Sequence, residues 1–424
     1  MQPNMSSTTK EVERDVDGST HENGSRDAAV AEVAEERLLT SNFVFATLAN
    51  FANSFGVQML VATMPVYVLR LGGNQTDVGL VGGAVACAAL LCRPFIGWLT
   101  DAWRRRPLVL IGTAGYGLAS GVYLLAGSIP GLLLGRVVHG VGLSCYTTAA
   151  NAYLADIAPP PRRAEAMGIF AATQDLGLIT GPAIGFSLVG VIGFQRLFYV
   201  SAALAVLAFG ISLFARERRP RPAAPHPPWS PRTGIVAIEA LPIAWTALCL
   251  GLGFGPVNAF IAIFAQSRGI ENPGFYFTVQ ALALLVSRTF AGRVADRHGR
   301  AFAIVPGVIL MAAALALLPL AYDFPHFVIS ASLFGLGFGS SQPATMALLI
   351  DRVRPAHRGL ATSTYFTGFD AGISTGAFLL GLVSQHWGFG AMWPLAAACT
   401  LMGLAGILGD RHRPTLPTPD PGRP

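Results

Sequence analysis

The chain has 424 residues, of which 52% are hydrophobic and only 12% charged, with a mean hydropathy of +0.52. A soluble domain carries about 25% charged residues, so a water-soluble enzyme or binding module is excluded for the bulk of the chain. The net charge of +6 is scattered among short loops instead of forming one basic face, which argues against a nucleic-acid partner.

In chain order, residues 1–40 are polar and acid-rich, with no apolar core of a signal peptide, and read as a disordered cytoplasmic tail. Apolar runs follow at 41–69, 77–99, 107–127, 131–155, 165–189, 194–214, 236–265, 274–294, 302–322, 326–350, 360–384 and 390–409, twelve in all. Each is near the ~20 residues that span a bilayer as a helix. Residues 216–233 form a Pro- and Arg-rich linker, and residues 411–424 a Pro-rich cytoplasmic tail. The spacing therefore predicts an all-α integral membrane protein with two six-helix bundles, at 41–215 and 234–410. Arginines cluster after even-numbered spans, at Arg104–Arg106, Arg162–Arg163, Arg216–Arg221, Arg293–Arg300 and Arg352–Arg358. The positive-inside rule then places both termini in the cytoplasm and the protein in the cell membrane.

The halves are copies of one another. Arg93-Pro-Phe-Ile-Gly97-Trp-Leu-Thr-Asp101 returns as Arg288-Thr-Phe-Ala-Gly292-Arg-Val-Ala-Asp296, an offset of 195 residues (288 − 93). The same offset carries Arg105 onto Arg300, Asp156 onto Asp351, Asp175 onto Asp370, and Gly177 and Gly181 onto Gly372 and Gly376. An apolar chain built of two repeats points to a transporter working at the interface between them. The rest of the sequence excludes other chemistry. Lys10 is the only lysine, so no phosphate-binding GxxxxGK[ST] loop exists, and HExxH is absent. No enzyme activity, cofactor or metal site is expected. The five cysteines fall inside the spans without a CxxC, and read as small buried hydrophobes.

Charges inside the spans are costly and mark function. Asp175 and Asp370 each sit about 11 residues into a span, roughly 16 Å deep at 1.5 Å per residue. Arg93 and Arg288 lie at a similar depth. Arg136 in span 4 has no counterpart at the repeat position, and His139 three residues on shares its face. Two readings of Arg136 stand: an embedded functional charge, or a side chain snorkelling to the outer interface. Gly177, Gly181 and Gly185 are four apart and line one face of span 5, with Pro182 beside them and Gly168 further back. Polar residues able to line a cavity are Asn50, Asn53, Gln58, Asn151, Asn258, Gln280, Gln342 and Tyr365.

The two loops Gly97–Arg106 and Gly292–Arg300 resemble the GxxxDRxGRR signature of the major facilitator superfamily. Leu132-Leu-Leu-Gly-Arg136-Val-Val-His139-Gly140-Val-Gly142 resembles its LxxxRxxxGxG pattern, and Gly168 through Gly185 resembles the G-x8-G-x3-GP-x2-GG signature of its drug:proton antiporters, with Phe186 at the final Gly. The resemblance covers residues 41–410. It implies a cytoplasmic latch at Gly97, Asp101, Arg105, Gly292, Asp296 and Arg300, to which Asp156 and Asp351, closing spans 4 and 10, are natural extra partners. It links Arg136 to proton transfer; Asp175, Asp370 and His139, read from their embedded position, join it as candidates for proton coupling. In the superfamily span 5 packs on span 8 and span 2 on span 11, which with the repeat suggests the pairs Asp175–Arg288 and Asp370–Arg93; the alternative is that each charge is satisfied within its own half. The expectation is a monomeric exporter of a small amphiphilic organic compound, a drug or metabolite, in exchange for protons. An uptake symporter or facilitator on the same fold, and a membrane sensor or scaffold, are the rivals.

Overall fold

The structure is a computed structural model that describes residues 38–159, 162–216, 237–353 and 358–410. The side chains of Asp101, Ala102, Ala164 and Asp296, and those at 358–359 and 408–410, are outside the description. The expectations for the terminal tails and the linker fall almost wholly outside it too.

The described chain is helical. The elements are α1 (Ser41–Arg70), α2 (Gln75–Ala102), α3 (Arg105–Leu125), α4 (Ile129–Ile157), α5 (Arg163–Phe214), α6 (Leu241–Ser267), α7 (Gly274–His298), α8 (Ala301–Leu317), α9 (Phe324–Arg352), α10 (Arg358–Leu401) and α11 (Leu404–Asp410). Among the described residues, ten helical segments are long and apolar enough to cross a membrane. Two are too long for one crossing: the 52 residues of α5 would extend about 78 Å at 1.5 Å per residue, against a hydrocarbon layer of about 30 Å. Both long segments break at a glycine. Gly193 has φ 78° and ψ 170°, and Gly388 has φ 75° and ψ 175°. Only glycine adopts that region without strain, and the two residues are again 195 apart (388 − 193).

Local chemistry sets the ends. Asn74 and Asp77 form a reciprocal capping box at the start of α2, with bonds of 2.9 and 3.0 Å. Thr40, Ser128 and Asp323 cap α1, α4 and α9 through their side chains. Gly299, at φ 94°, closes α7 with a turn; the equivalent Arg104 is extended, so the first repeat leaves α2 differently. Hydroxyls within the apolar segments bond back to their own helix, as Thr63 does to the Met59 carbonyl at 2.7 Å and Thr345 to that of Ser341 at 2.6 Å. That satisfies them where no water is present.

Glycines fix how closely the helices approach. A methyl group at Gly181 would lie 2.8 Å from Gln58 Cβ and 3.1 Å from the Phe55 carbonyl oxygen, and one at Gly185 would lie 3.1 Å from Met59 Cα. The stripe on α5 therefore lies against α1. Gly372 and Gly376 on α10 meet Gly251 and Leu252 of α6 in the same way. Gly140 faces Ala88 of α2, and its counterpart Gly335 faces Ala283 of α7; Ala88 and Ala283 are themselves 195 apart (283 − 88). Gly168 meets open space, so the outlying glycine of the motif serves no packing.

The largest apolar cluster runs through both halves, joining Met59, Val78 and Val81 to Val257, Phe260, Ala377 and Leu380. Two smaller clusters belong to one half each, around Tyr146, Leu154 and Phe170, and around Ile243, Leu349 and Tyr365. The five free cysteines are not uniformly buried: Cys145 and Cys249 are, Cys92 and Cys399 are intermediate, and Cys87 is exposed on the outer face of α2, against the expectation that all five were small buried hydrophobes. An apolar outer face buries nothing within the chain, so hydropathy alone misplaces it.

Candidate functional site

A central cavity of about 270 Å³ lies between the halves. Its wall is drawn from α1, α2, α3, α4, α5, α6 and α10, and includes Asn50, Asn53, Gln58, Val81, Arg136 and His139. Toward the end bearing Arg104–Arg106 the wall includes exposed residues, Asn151 and Gln174, whereas Val78, Val81 and Ala259 at the other end are buried. The cavity is thus open to the Arg-rich end and sealed at the opposite one.

The seal is a set of contacts between halves. Gln75 at the start of α2 donates its backbone N–H to Gln385 Oε1 of α10 at 3.0 Å, and the Gln75 side chain meets Ser384. Asn272, just before α7, donates to the Ala183 carbonyl at 3.3 Å and to Ser187 Oγ at 3.1 Å. Thr278 Oγ donates to the Ile179 carbonyl at 2.6 Å. Gly274 brings the α7 backbone against Pro182, where an added methyl would lie 2.7 Å from Ala183 Cα.

Deeper in, two ion pairs cross between the halves. Arg93 Nε of α2 lies 2.5 Å from Asp370 Oδ2 of α10. Arg288 Nη1 of α7 contacts both oxygens of Asp175 on α5, at 3.1 and 2.8 Å. Asp370 is on the cavity wall and 6% exposed; Asp175 is 8% exposed and lies off it. The Arg93 guanidinium also lies 5.5 Å from the Phe366 ring centre. Beyond the pairs, Gly97 and Gly292 face open space and Phe95 is exposed. At the Arg-rich end Arg105 pairs with Asp156 at 2.6 Å and Arg300 with Asp351 at 3.0 Å, each within its own half. The Asp101 and Asp296 side chains lie outside the described residues.

Arg136 is 3% exposed and lines the cavity, so it is not a side chain reaching for an interface. His139 is 2% exposed on the same wall. Between them stands Tyr123 of α3: its hydroxyl lies 3.3 Å from His139 Nδ1, and its ring centre is 6.0 Å from the Arg136 guanidinium carbon. Gly135 makes room for that ring, since a methyl there would lie 2.6 Å from Tyr123 Cδ1. Tyr116 stacks edge-on against His139, and the Tyr146 hydroxyl donates to Asn50 Oδ1 at 3.2 Å. The sequence reading passed over these three tyrosines; Gly135 beside Arg136 was the signal that a ring had to fit there.

The polar candidates divide. Asn50 is fixed by the Phe170 carbonyl at 3.0 Å and Thr173 at 3.1 Å, and Asn53 reaches Thr113 at 3.4 Å. Asn151 donates to the Thr147 carbonyl of its own helix at 2.8 Å. Gln58 and Asn258 sit on the wall with no side-chain hydrogen bond among the described residues. Gln280, Gln342 and Tyr365 do not line the central cavity, contrary to expectation. Tyr365 is fully buried in the core of the second half and donates to the Gln342 carbonyl at 3.4 Å; Gln280 packs against Gly335 of α9. A helical sequence marks a residue as polar but does not fix which neighbour its face meets. Among the described residues no group of three or more His, Cys, Asp or Glu could hold a metal ion.

Comparison with known proteins places this geometry. The family profile described as Major Facilitator Superfamily matches residues 46–279 and 247–424. The chain is 24% identical over 375 residues to an uncharacterised MFS-type transporter of Methanocaldococcus jannaschii, covering 86% of this chain and 96% of that one. It is 23% identical over 393 residues to the multidrug resistance protein MdtG of Escherichia coli, covering 89% and 96%. The fold is shared with the crystal structure of the nucleoside transporter NupG, at TM-score 0.71, 15% identity and 88% and 100% coverage. It is shared also with the human organic anion transporter MFSD10, at TM-score 0.66, 16% identity and 87% and 99% coverage.

Proposed function

Since the chain belongs to the major facilitator superfamily and is a multi-pass membrane transporter, not an enzyme, we propose that it exports a small amphiphilic organic compound across the cell membrane in exchange for protons. In this reading α5 and α10 count as two spans each, giving twelve helices in two bundles, 41–215 and 234–410. The arginine-rich end is cytoplasmic by the positive-inside rule, with both termini on that side. The state described here then faces inward, its cavity open to the cytoplasm and sealed on the outside.

The observation that carries the proposal is the cavity at the junction of the repeats, with the Arg93–Asp370 and Arg288–Asp175 pairs bridging the halves beside it. Alternating access needs contacts that form on one side and break on the other. The pairs and the outer seal are such contacts, and Arg105–Asp156 with Arg300–Asp351 would anchor a latch when the cytoplasmic end closes. Asp175, Asp370, Arg136 and His139 are the embedded groups able to couple protons. The cavity, largely apolar with a few convergent polar groups, suits one amphiphilic molecule and a protein acting as a monomer.

Export over uptake is supported by two things: the α5 motif, whose glycines seat α5 on α1, and the likeness to MdtG. The fold alone does not choose a direction, since it also serves a nucleoside transporter. Cells with and without the protein, compared for drug susceptibility and metabolite secretion, test the reading. Export predicts at least one compound retained by cells lacking the protein; a compound that enters only when the protein is present points to the uptake rival.

A further inference from the structure

The cavity has an unbalanced cation. Its one wall carboxylate among the described residues, Asp370, is matched by Arg93, and Asp175 nearby is matched by Arg288. Arg136, on the same wall and buried, has no carboxylate within reach among the described residues, and its Nε has no hydrogen-bond partner. A buried guanidinium without a counter-charge is costly in surroundings of low polarity. The Tyr123 ring lies beside it, in space that Gly135 leaves free because it has no side chain.

His139 completes the group. Its Nε2 is buried with no partner, while Nδ1 faces the Tyr123 hydroxyl. In the tautomer in which Tyr123 donates to Nδ1, Nε2 carries the ring N–H and presents a second donor beside Arg136. Around these donors the wall is apolar, through Val57, Val61, Val81, Val85 and Phe254.

We propose that the cargo of this cavity is an amphiphilic organic monoanion whose carboxylate docks on Arg136 and His139 and whose apolar body fills the valine-lined part of the cavity. This rests on the reading of the cavity as the transport site. The guanidinium fork matches a carboxylate in a paired, charge-assisted contact, and one anion restores neutrality where a dianion would overshoot it. The proposal also bears on direction. Moving an anion outward and a proton inward are both favoured by a membrane potential negative inside.

The test is binding to the purified full-length protein at fixed pH, using three probes of matched size: 1-naphthoate, 1-naphthamide and 1-naphthylmethylammonium. Naphthoate is expected to bind tighter than either other probe by about tenfold or more, the scale of one charge-assisted hydrogen bond. Arg136→Gln should remove that advantage, weakening naphthoate far more than naphthamide, whereas Arg136→Lys should keep part of it; size-exclusion profile and thermal transition establish that each variant is folded. Equal or tighter binding of the ammonium probe, no naphthoate binding to folded native protein, or full naphthoate affinity in Arg136→Gln would overturn the proposal. The native preference among the three probes decides the matter even where a variant does not fold. Naphthoate that binds through Arg136 but never crosses a vesicle membrane would refute the transport reading and leave the anion site standing.

Discussion

Arg93 and Asp370, 277 residues apart in sequence, meet across the two halves with Nε 2.5 Å from Oδ2, and the repeat produces the same contact again between Arg288 and Asp175. Both pairs lie on helical segments long and apolar enough to cross a membrane, with the carboxylates largely buried and the arginines partly so. Truncating one partner strands its mate. Asp370→Ala should therefore cost roughly 3–5 kcal/mol, the scale for a broken buried pair, and should abolish transport. The exchange Arg93→Asp with Asp370→Arg should recover part of both. Thermal unfolding and vesicle flux of the two singles and the double measure this; a double no better than the singles would show that the contact does not support function.

The outer seal makes a separate prediction. Asn272 gives two hydrogen bonds across the halves and Gln385 accepts another. Each is worth about 0.5–1.5 kcal/mol net, so Asn272→Ala should shift the population toward the outward-open state several-fold with little loss of fold. Thiol labelling of a Val61→Cys probe from the outside should rise accordingly. Unchanged labelling would mean that the seal is held by apolar packing and not by these bonds.

The α5 glycines differ sharply from one another. Gly181 has Gln58 and Phe55 within 3.1 Å of an added methyl, whereas Gly168 meets open space. Gly181→Val should overpack the α1–α5 contact and cost about 1–3 kcal/mol, while Gly168→Ala should be silent in thermal unfolding. Equal effects at the two sites would contradict the packing account of the motif.

Gly193 and Gly388 are constrained by backbone conformation and not by space, since neither has a neighbour within 4 Å of an added methyl. Gly193→Ala and Gly388→Ala should each lower stability by about 1–3 kcal/mol. The loss should be similar at both, and a null effect would mean that the break re-forms elsewhere along α5 or α10.

Much of this arrangement was legible in the sequence because a repeat writes every feature twice. The offset that carries Arg93 onto Arg288 also carries Asp175 onto Asp370, and a charge in an apolar run announces itself. The family resemblance supplied the pairing that spacing alone left open. What could not be read was azimuth. Gln280 and Tyr365 look as suited to a cavity as Asn258, yet they turn toward neighbours in their own half. The tyrosines around Arg136 were hidden for the opposite reason. Tyr123 is apolar enough to pass as core, and its role comes from a ring placed by Gly135 on another helix.

Everted membrane vesicles test the central claim most directly, because their interior corresponds to the outside of the cell and respiration acidifies it. The account predicts that vesicles containing the protein accumulate its exported compound when energised. It predicts further that an uncoupler abolishes the accumulation, and that Asp370→Ala vesicles behave like vesicles lacking the protein. Accumulation that persists unchanged with the uncoupler and without a sodium gradient, or movement only in the opposite direction, would contradict proton-coupled export.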